Sequence, residues 1–214
     1  MAQETEIKLR ITNLAAFRRA LAKLGARSAA RAGGRVHELN VVFDTPANQL
    51  KQRGQLLRIR TETRAAAGKK GRRVLLTFKL PIASGGDDRG SRGAHKVREE
   101  IELRVSDGQA LARIFEGLGM RTWFRYEKFR TTYRLSSAQR WAKGLLIELD
   151  ETPVGTFVEL EGPGDAIDRA AQALGFTQRD YIVTNYFVLY LEECRRQGRE
   201  PGDMLFAKEN SAHA

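Results

Sequence analysis

Charged and apolar side chains alternate near the start of the chain, where Glu4, Glu6 and Lys8 share one parity and Ile7 and Leu9 the other. Successive side chains of a β-strand point to opposite faces, so a strand here would carry all its charges on one face. The arrangement recurs at Arg58/Arg60, Arg98/Glu100/Glu102, Lys128/Arg130, Glu148/Asp150 and Glu159/Glu161. A wet face of an antiparallel sheet could explain one or two such strands. Six predict a curved or closed sheet with a charged interior and apolar residues facing outward under helices, a channel suited to metal ions and a polyanion together.

Eight carboxylates fall on the predicted inner face. Like charges in one cavity raise each other's pKa values unless cations lie among them. Mg²⁺ and Mn²⁺ prefer oxygen ligands, so the set predicts a site for one of these ions. The alternative is a network of Glu–Arg and Glu–Lys ion pairs that only neutralises a polar barrel. The candidate metal ligands are Glu4, Glu6, Glu100, Glu102, Glu148, Asp150, Glu159 and Glu161.

A matching set of cations shares the same face. The guanidinium of Arg forms a planar fork that fits phosphate oxygens, and Lys supplies a compact charge, so together they could hold several phosphates. The interleaved acids would repel a nucleic-acid backbone, and no zinc-finger, helix-turn-helix or RNA-recognition motif is present. We therefore expect no specific nucleic-acid partner; non-specific binding by a basic surface is the alternative. The candidate phosphate-binding residues are Lys8, Arg58, Arg60, Lys79, Arg98, Lys128 and Arg130.

The composition fits one domain that binds an anion. The 214 residues are 42% hydrophobic, and a net charge of +11 favours an anionic partner. Cys194 is the only cysteine, which excludes an internal disulfide and favours a reducing, cytoplasmic setting. No apolar run approaches the roughly 20 residues that span a bilayer, and no signal-peptide pattern follows Met1, so we expect no membrane association. The three histidines show no metal-ligand spacing, and no nucleophile signature supports covalent catalysis.

Helices and strands can be placed from the hydrophobic periodicity and from the capping, glycine and proline residues that end such elements. Helical spacing predicts helices from Asn13 to Gly25, after Ser106, after Pro163 and over residues 180–196. Strands are predicted near 36–43, 55–64, 73–80, 126–135 and 144–150. The glycine-rich stretch 81–94 is predicted to be a mobile loop. We expect one domain over residues 1–197 and a flexible tail over 198–214.

Glu4-x-Glu6-x-Lys8 resembles the ExExK signature of the CYTH superfamily, also called triphosphate tunnel metalloenzymes. Further segments resemble other motifs of that family, in the same order, from Glu4 to about Leu191. They are Phe43-Asp44-Thr45-Pro46, Leu57-Arg58-Ile59-Arg60, Thr77-Phe78-Lys79, Arg98-Glu99-Glu100-Ile101-Glu102, Lys128-Phe129-Arg130, and Leu149-Asp150 followed by residues 155–162.

The resemblance implies an α+β fold, a closed eight-stranded antiparallel β-barrel that forms a triphosphate tunnel, with helices packed outside. It implies a hydrolase, dependent on Mg²⁺ or Mn²⁺, of inorganic tripolyphosphate, a nucleoside triphosphate or thiamine triphosphate. A class IV adenylyl cyclase, which converts ATP to cyclic AMP and pyrophosphate, is the alternative. The His-Phe pair that precedes ExExK in such cyclases has no counterpart in Met1-Ala2-Gln3, which weakens that alternative. A non-catalytic polyphosphate- or nucleotide-binding module is the second alternative. The sequence does not determine the oligomeric state, and a homodimer is one option.

The resemblance also implies a role for individual residues. Lys8, Lys79 and Arg58 are the expected catalytic cations, with Arg60, Lys128 and Arg130 also on phosphate. One metal would orient the triphosphate, and a second would activate water for in-line attack on the terminal phosphorus. Metal ligands carried over from the family are Glu4, Glu6, Asp150, Glu159 and Glu161, with Glu100 and Glu102 as contributors.

Overall fold

The computed structural model describes residues 2–29, 34–66, 69–82 and 95–207. Nine strands and five helices lie within these ranges. The strands are β1 (Ala2–Ile11), β2 (Arg27–Ser28), β3 (Arg35–Asp44), β4 (Leu56–Ala66), β5 (Lys69–Pro81), β6 (Lys96–Val105), β7 (Arg121–Arg134), β8 (Leu146–Thr152) and β9 (Gly155–Glu161). The helices are α1 (Leu14–Leu24), α2 (Gln49–Gln52), α3 (Gly108–Gly117), α4 (Gly164–Ala173) and α5 (Tyr186–Arg196).

Eight of the strands form a closed antiparallel barrel. Their order is β7-β3-β4-β5-β6-β1-β9-β8, and β8 pairs back onto β7 to complete the circle. The two-residue strand β2 extends the sheet beside the end of β7, where Arg27 lies opposite Arg134. This confirms the predicted α+β class and the closed eight-stranded barrel. Closure leaves the charged faces of all eight strands turned toward one interior.

The outward faces of β1, β8 and β9 supply the largest apolar core. Ile7, Leu9 and Leu160 are fully buried, in one cluster with residues of α1 and α4. Asn13 caps α1 by accepting a hydrogen bond from the Ala16 N–H at 2.9 Å, and Gly25 ends it with φ 79°, as predicted. Helices on these strands therefore fix the positions of their inward carboxylates.

A tight glycine turn connects β9 to α4. Gly162 has φ 147°, and a Cβ atom there would lie 2.9 Å from the carbonyl oxygen of Gly144. Its N–H donates to the carbonyl of Thr5 at 3.0 Å, so the turn is also tied to β1. Only glycine fits such a close approach of two backbones. The turn holds the end of β9, and with it Glu161, against β1.

Helix α5 packs across one end of the barrel. The predicted helix over 180–196 begins later than expected, at Tyr186, because Asn185 provides the cap by accepting from the Val188 N–H at 3.0 Å. Residues 178–180 form a separate 3₁₀ turn. Tyr186 and Leu189 lie in an apolar cluster with Phe157 and Phe124, which closes this end of the interior.

Residues 201–207 lie against β7 instead of forming the expected flexible tail. The Met204 N–H donates to the carbonyl of Arg125, and the Glu127 N–H donates to the carbonyl of Met204, both at 2.9 Å. Met204 is 1% exposed within the cluster under α5. The segment covers the part of the β7 edge that the shorter β8 does not reach. The rest of the predicted tail, 208–214, and most of the predicted loop, 83–94, lie outside the described residues.

No helix among the described residues is both long and apolar enough to cross a membrane.

Candidate active site

A cavity of about 760 Å³ occupies the barrel interior. Along β4 its wall includes every second residue from Leu56 to Arg64, so the cavity follows the length of that strand. All seven predicted phosphate-binding cations line it, as do seven of the eight candidate metal ligands. The lining cations are Lys8, Arg58, Arg60, Lys79, Arg98, Lys128 and Arg130, and the lining carboxylates are Glu4, Glu6, Glu100, Glu102, Glu148, Glu159 and Glu161.

Lys8 lies between two carboxylates deep in the cavity. Its Nζ is 3.1 Å from Glu6 Oε1 and 3.4 Å from Glu159 Oε1, because β1 and β9 pair with Lys8 opposite Glu159. Burial opposes the charge on Lys8, but Glu6 and Glu159 raise its pKa above the ordinary value. Burial likewise opposes the ionisation of Glu6, yet Lys8 and Lys96 hold its pKa well below the usual range. The pair is therefore fully charged at neutral pH.

Lys79 of β5 contacts one carboxylate of β1 and one of β6. Its Nζ is 2.6 Å from Glu4 Oε1 and 3.3 Å from Glu100 Oε2. Lys96 of β6, which the sequence analysis did not select, donates to Glu6 at 3.0 Å. Burial lowers the pKa of Lys96; Glu6 opposes this shift, and Lys8 and Arg98 add to it. A lysine ammonium thus contacts each of the two N-terminal glutamates.

Asp150 occupies a different position from the other candidate ligands. It is fully buried and does not line the cavity. Its carboxylate accepts hydrogen bonds from Lys128 at 2.8 Å, from Arg130 at 2.7 and 2.6 Å and from the Tyr186 hydroxyl at 2.7 Å. Arg130 also contacts Glu148 and Glu159. Asp150 therefore lies behind the wall and holds two cavity cations and the first residue of α5.

Polar residues of β3 and β7 complete the wall beside Arg58 and Arg60. Arg60 Nε donates to Asn40 at 3.0 Å and lies 3.4 Å from Glu38, whose pKa falls to about 2 because Arg60, Lys128 and Arg130 outweigh the effect of burial. Arg58 donates a hydrogen bond to the hydroxyl of Tyr126 at 2.9 Å. Burial opposes ionisation of Tyr126, but Arg58 and the neighbouring cations outweigh this effect and the pKa of Tyr126 is lowered.

Glu38, Asn40 and Tyr126 were not predicted from the sequence as site residues. Alternation did place Glu38 and Asn40 on one face of β3, but a single charge among the apolar neighbours Val36 and Val42 left a weak signal.

Three carboxylates have pKa values shifted upward. Burial raises the pKa of Glu161 to about 8, and Glu148 and Glu4 add to the effect. Burial also raises the pKa values of Glu4 and Glu148. At these three positions the neighbouring cations do not fully offset the effect of burial and of the nearby carboxylates. Within the described ranges no three acidic groups converge closely enough to form a preformed metal site.

The sequence model of the CYTH domain matches residues 2–177. This range includes every candidate ligand and cation described above. The chain belongs to the CYTH domain family. A comparison with curated proteins found no match.

Solved structures share this CYTH fold at low sequence identity. A Vibrio parahaemolyticus protein provisionally named an adenylate cyclase is 19% identical with a TM-score of 0.66, over 87% of this chain and 96% of that one. The PH1819 protein of Pyrococcus horikoshii is 21% identical with a TM-score of 0.64, over 89% and 99%. A Hippeastrum protein, provisionally named an adenylyl cyclase and described as having a dominant triphosphatase activity, is 21% identical with a TM-score of 0.55, over 92% and 97%.

The CYTH match ends before α5, although α5 contributes to the cavity. Asn185, Tyr186 and Phe187 all line it. The Lys8 and Lys128 ammonium groups lie 5.5 and 5.1 Å from the centre of the Tyr186 ring. In this CYTH protein the closed end of the cavity therefore depends on residues beyond the matched segment.

Proposed function

We propose that this protein is a divalent-metal-dependent hydrolase of a triphosphate substrate. The observation that carries the proposal is the coexistence, in one cavity, of a set of buried cations and a comparable set of carboxylates. Lysines and arginines alone would suit an anion, and carboxylates alone a cation. Both together suit a phosphate chain that enters with its metal ion.

The cations would bind the phosphate oxygens. Lys8, Lys79 and Arg58 are buried or nearly so, and the first two are already held by carboxylates, so their positions are set before a ligand arrives. Phosphate oxygens would take the place of these carboxylates, with Arg60 and Arg130 adding bidentate donors. Charge that develops on the phosphates during bond cleavage would be stabilised by the same groups in a site from which α5 excludes water at one end.

The carboxylates fit a hard divalent cation. Burial and neighbouring carboxylates raise the pKa values of Glu4, Glu148 and Glu161, and a bound cation would oppose both effects. We assign metal binding to these residues together with Glu6 and Glu159, with Glu100 and Glu102 as contributors, and assign Asp150 to positioning Lys128 and Arg130. Bound Mg²⁺ or Mn²⁺ would neutralise phosphate charge and lower the pKa of a coordinated water.

An adenylyl cyclase is the second candidate, because one end of the cavity could receive a nucleobase. Leu56, Trp123 and Phe187 line this end, and the Trp123 and Phe187 rings lie 4.4 Å apart. Aromatic faces of this kind stack on bases. The triphosphatase activity described for the Hippeastrum relative supports hydrolysis as the first choice.

Product analysis separates these candidates. The protein would be incubated with ATP, tripolyphosphate or thiamine triphosphate and with Mg²⁺ or Mn²⁺, and the products resolved. We expect orthophosphate from at least one substrate and no product when the metal is chelated. Cyclic AMP with pyrophosphate would instead establish the cyclase. Binding without turnover under either metal would establish a non-catalytic module and contradict the proposal.

A further inference from the structure

Strand β1 changes its pairing partner between Glu6 and Lys8. Glu6 pairs with Lys96, the first residue of β6. Two residues later the partner is Ile182: the Lys8 N–H donates to the Ile182 carbonyl and the Ile182 N–H to the Lys8 carbonyl, both at 2.9 Å. The start of β6 and the segment 181–182 therefore meet along one side of β1. We call this junction the β1 seam.

Three side chains on the outside of the barrel join the two segments of the β1 seam. Oδ1 of Asp168, on α4, accepts a hydrogen bond from the Tyr181 hydroxyl at 2.9 Å and lies 2.7 Å from His95 Nε2. An ionised carboxylate only accepts hydrogen bonds, so His95 donates from Nε2. His95 directly precedes Lys96 in the chain, and Tyr181 directly precedes Ile182. We call His95, Asp168 and Tyr181 the seam clasp.

Helix α4 gives the seam clasp a fixed base. Ile167, next to Asp168, is fully buried in the core that covers β1 and β9. The His95 ring packs on the first residue of α4, since a Cβ atom at Gly164 would lie 3.4 Å from its Cε1 atom. Tyr181 packs against the edge of the same core. Packing therefore fixes the position of Asp168, and Asp168 holds both segments of the seam.

The same two segments support ammonium groups inside the barrel. Lys96 and Lys8 both donate to Oε1 of Glu6, at 3.0 and 3.1 Å. Lys96 is the terminal residue of β6, and the ends of elements open first unless a contact holds them. The backbone of Lys8 is held on this side by Ile182. The seam clasp thus lies behind the two ammonium groups that share one oxygen of Glu6.

We propose that the seam clasp positions Lys96 and Lys8 and thereby sets the affinity of the cavity for a triphosphate. This rests on the proposed function, in which cavity cations meet phosphate oxygens. Affinity gains when binding groups are ordered before the ligand arrives, and a lysine ammonium lies on a flexible stem whose base must be held. His95, Asp168 and Tyr181 do not line the cavity, so they act as positioning residues.

The seam clasp should act locally and contribute little to global stability. The side chains of His95 and Asp168 are 20% and 37% exposed. A polar contact exposed to this degree contributes little to the free energy of unfolding. Breaking it should therefore loosen the β1 seam in a protein that remains folded, which makes the proposal testable with single substitutions.

Amide hydrogen exchange measures the β1 seam directly, without any ligand. We expect Asp168→Ala to accelerate exchange of the Lys8 and Ile182 N–H groups by at least about 5-fold, because their opening no longer breaks a held junction. The matched control is His37→Ala, which removes a partly exposed histidine 3.4 Å from Glu127 on the outer face of β3. It should leave both amides unchanged.

Tripolyphosphate affinity tests the effect on the cavity. Calorimetry in chelator measures binding by the cavity cations without metal-dependent turnover. We expect His95→Ala to weaken binding about 5-fold. His95→Gln, whose amide N–H can still donate to Asp168, should stay within about 2-fold of wild type, as should His37→Ala. In a Lys96→Met background His95→Ala should cause no further loss, because its effect passes through Lys96.

Several results would overturn the proposal. Unchanged exchange in Asp168→Ala would show that the clasp does not hold the seam. Faster exchange with unchanged affinity, or losses from His95→Ala and Lys96→Met that simply add, would leave the clasp a structural role only. A wild-type protein that binds no tripolyphosphate would also overturn it. Binding without hydrolysis when metal is supplied would contradict the proposed function alone.

Discussion

Three carboxylates of the cavity, Glu6, Glu159 and Glu161, differ in pKa because their charged neighbours differ. Glu6 and Glu159 share Lys8, and cationic neighbours hold their pKa values well below the usual range against the effect of burial. Glu161 lies opposite Glu6 in the β1–β9 register, and its main neighbours are other acids, so burial and those acids raise its pKa to about 8. Two residues of one strand therefore differ in charge at neutral pH.

Glu161 should make the metal-free protein less stable as the pH rises. Its folded pKa of about 8 exceeds the usual 4.5. Between those values the unfolded chain has released the proton and the folded protein has kept it, so the free energy of unfolding falls with rising pH and levels off above about 8. Glu161→Gln should remove this loss and be more stable than wild type by about 1 kcal/mol or more at pH 8.5. Urea unfolding in chelator at several pH values would measure it; an identical pH dependence in both proteins, or the same change in Glu116→Gln, would contradict it.

Asp150 should matter mainly for stability and for the positions of cavity cations. Asp150→Asn would leave Lys128 and Arg130 buried with less compensating charge, and we expect a loss of about 3–5 kcal/mol in the free energy of unfolding. The adjacent Glu151 forms an exposed ion pair with Arg35 at 2.7 Å, so Glu151→Gln should cost less than about 1 kcal/mol. Chemical denaturation of both variants provides the comparison. Similar losses in the two would contradict the role given to Asp150.

The strands and their charged faces could be predicted from the sequence more fully than the contacts of individual cavity residues. The alternation of charged and apolar residues predicted which side chains of β1, β4, β6, β7, β8 and β9 face inward. It did not predict how the strands pair, because parity assigns a side chain to a face but not to a partner. Lys96 was missed because its contact with Glu6 depends on the pairing of β6 with β1, which parity does not provide. Asp150 has the inward parity, yet the structure places it behind Lys128 and Arg130, a difference in depth that alternation cannot detect.

The C-terminal segment shows why the boundaries of elements were harder to predict. Residues 198–207 lack a periodic pattern, so the sequence gives no reason to expect that Met204 inserts under α5. The edge of β7 left free by the shorter β8 supplies the hydrogen-bonding partner, and that edge exists only in the closed barrel. The start of α5 was similarly ambiguous, because only the capping contact of Asn185 fixes it.

Met204 should therefore contribute to global stability. Met204→Ala would remove a side chain that is 1% exposed, and we expect a loss of about 2–4 kcal/mol. Its neighbour Leu205 is 41% exposed, so Leu205→Ala should cost less than about 1 kcal/mol. Thermal and urea unfolding of the two variants would measure the difference. Equal stability of Met204→Ala and wild type would show that the segment does not pack as described.

The whole molecule places its core outside the barrel and its charges within it. Helices α1 and α4 cover the outer faces of β1, β8 and β9, while the interior carries paired charges of both signs. This inverted arrangement is what allowed a closed barrel to be predicted from the sequence, since six strands with charged faces cannot all face water in one small domain. The ion-pair partners and the raised pKa values of Glu4, Glu148 and Glu161 could not be predicted without the register of the closed sheet.

The most direct test of the account measures orthophosphate release from tripolyphosphate by wild type and by Glu6→Gln, with Mg²⁺ or Mn²⁺ and with a chelator. Glu116→Gln, on the exposed face of α3, serves as the matched control, and unfolding curves confirm that each variant is folded. We predict metal-dependent release by wild type and the control, and a loss of at least about 100-fold in Glu6→Gln. Release by folded Glu6→Gln at the wild-type rate, or undiminished release by wild type in chelator, would contradict a hydrolase built on these carboxylates.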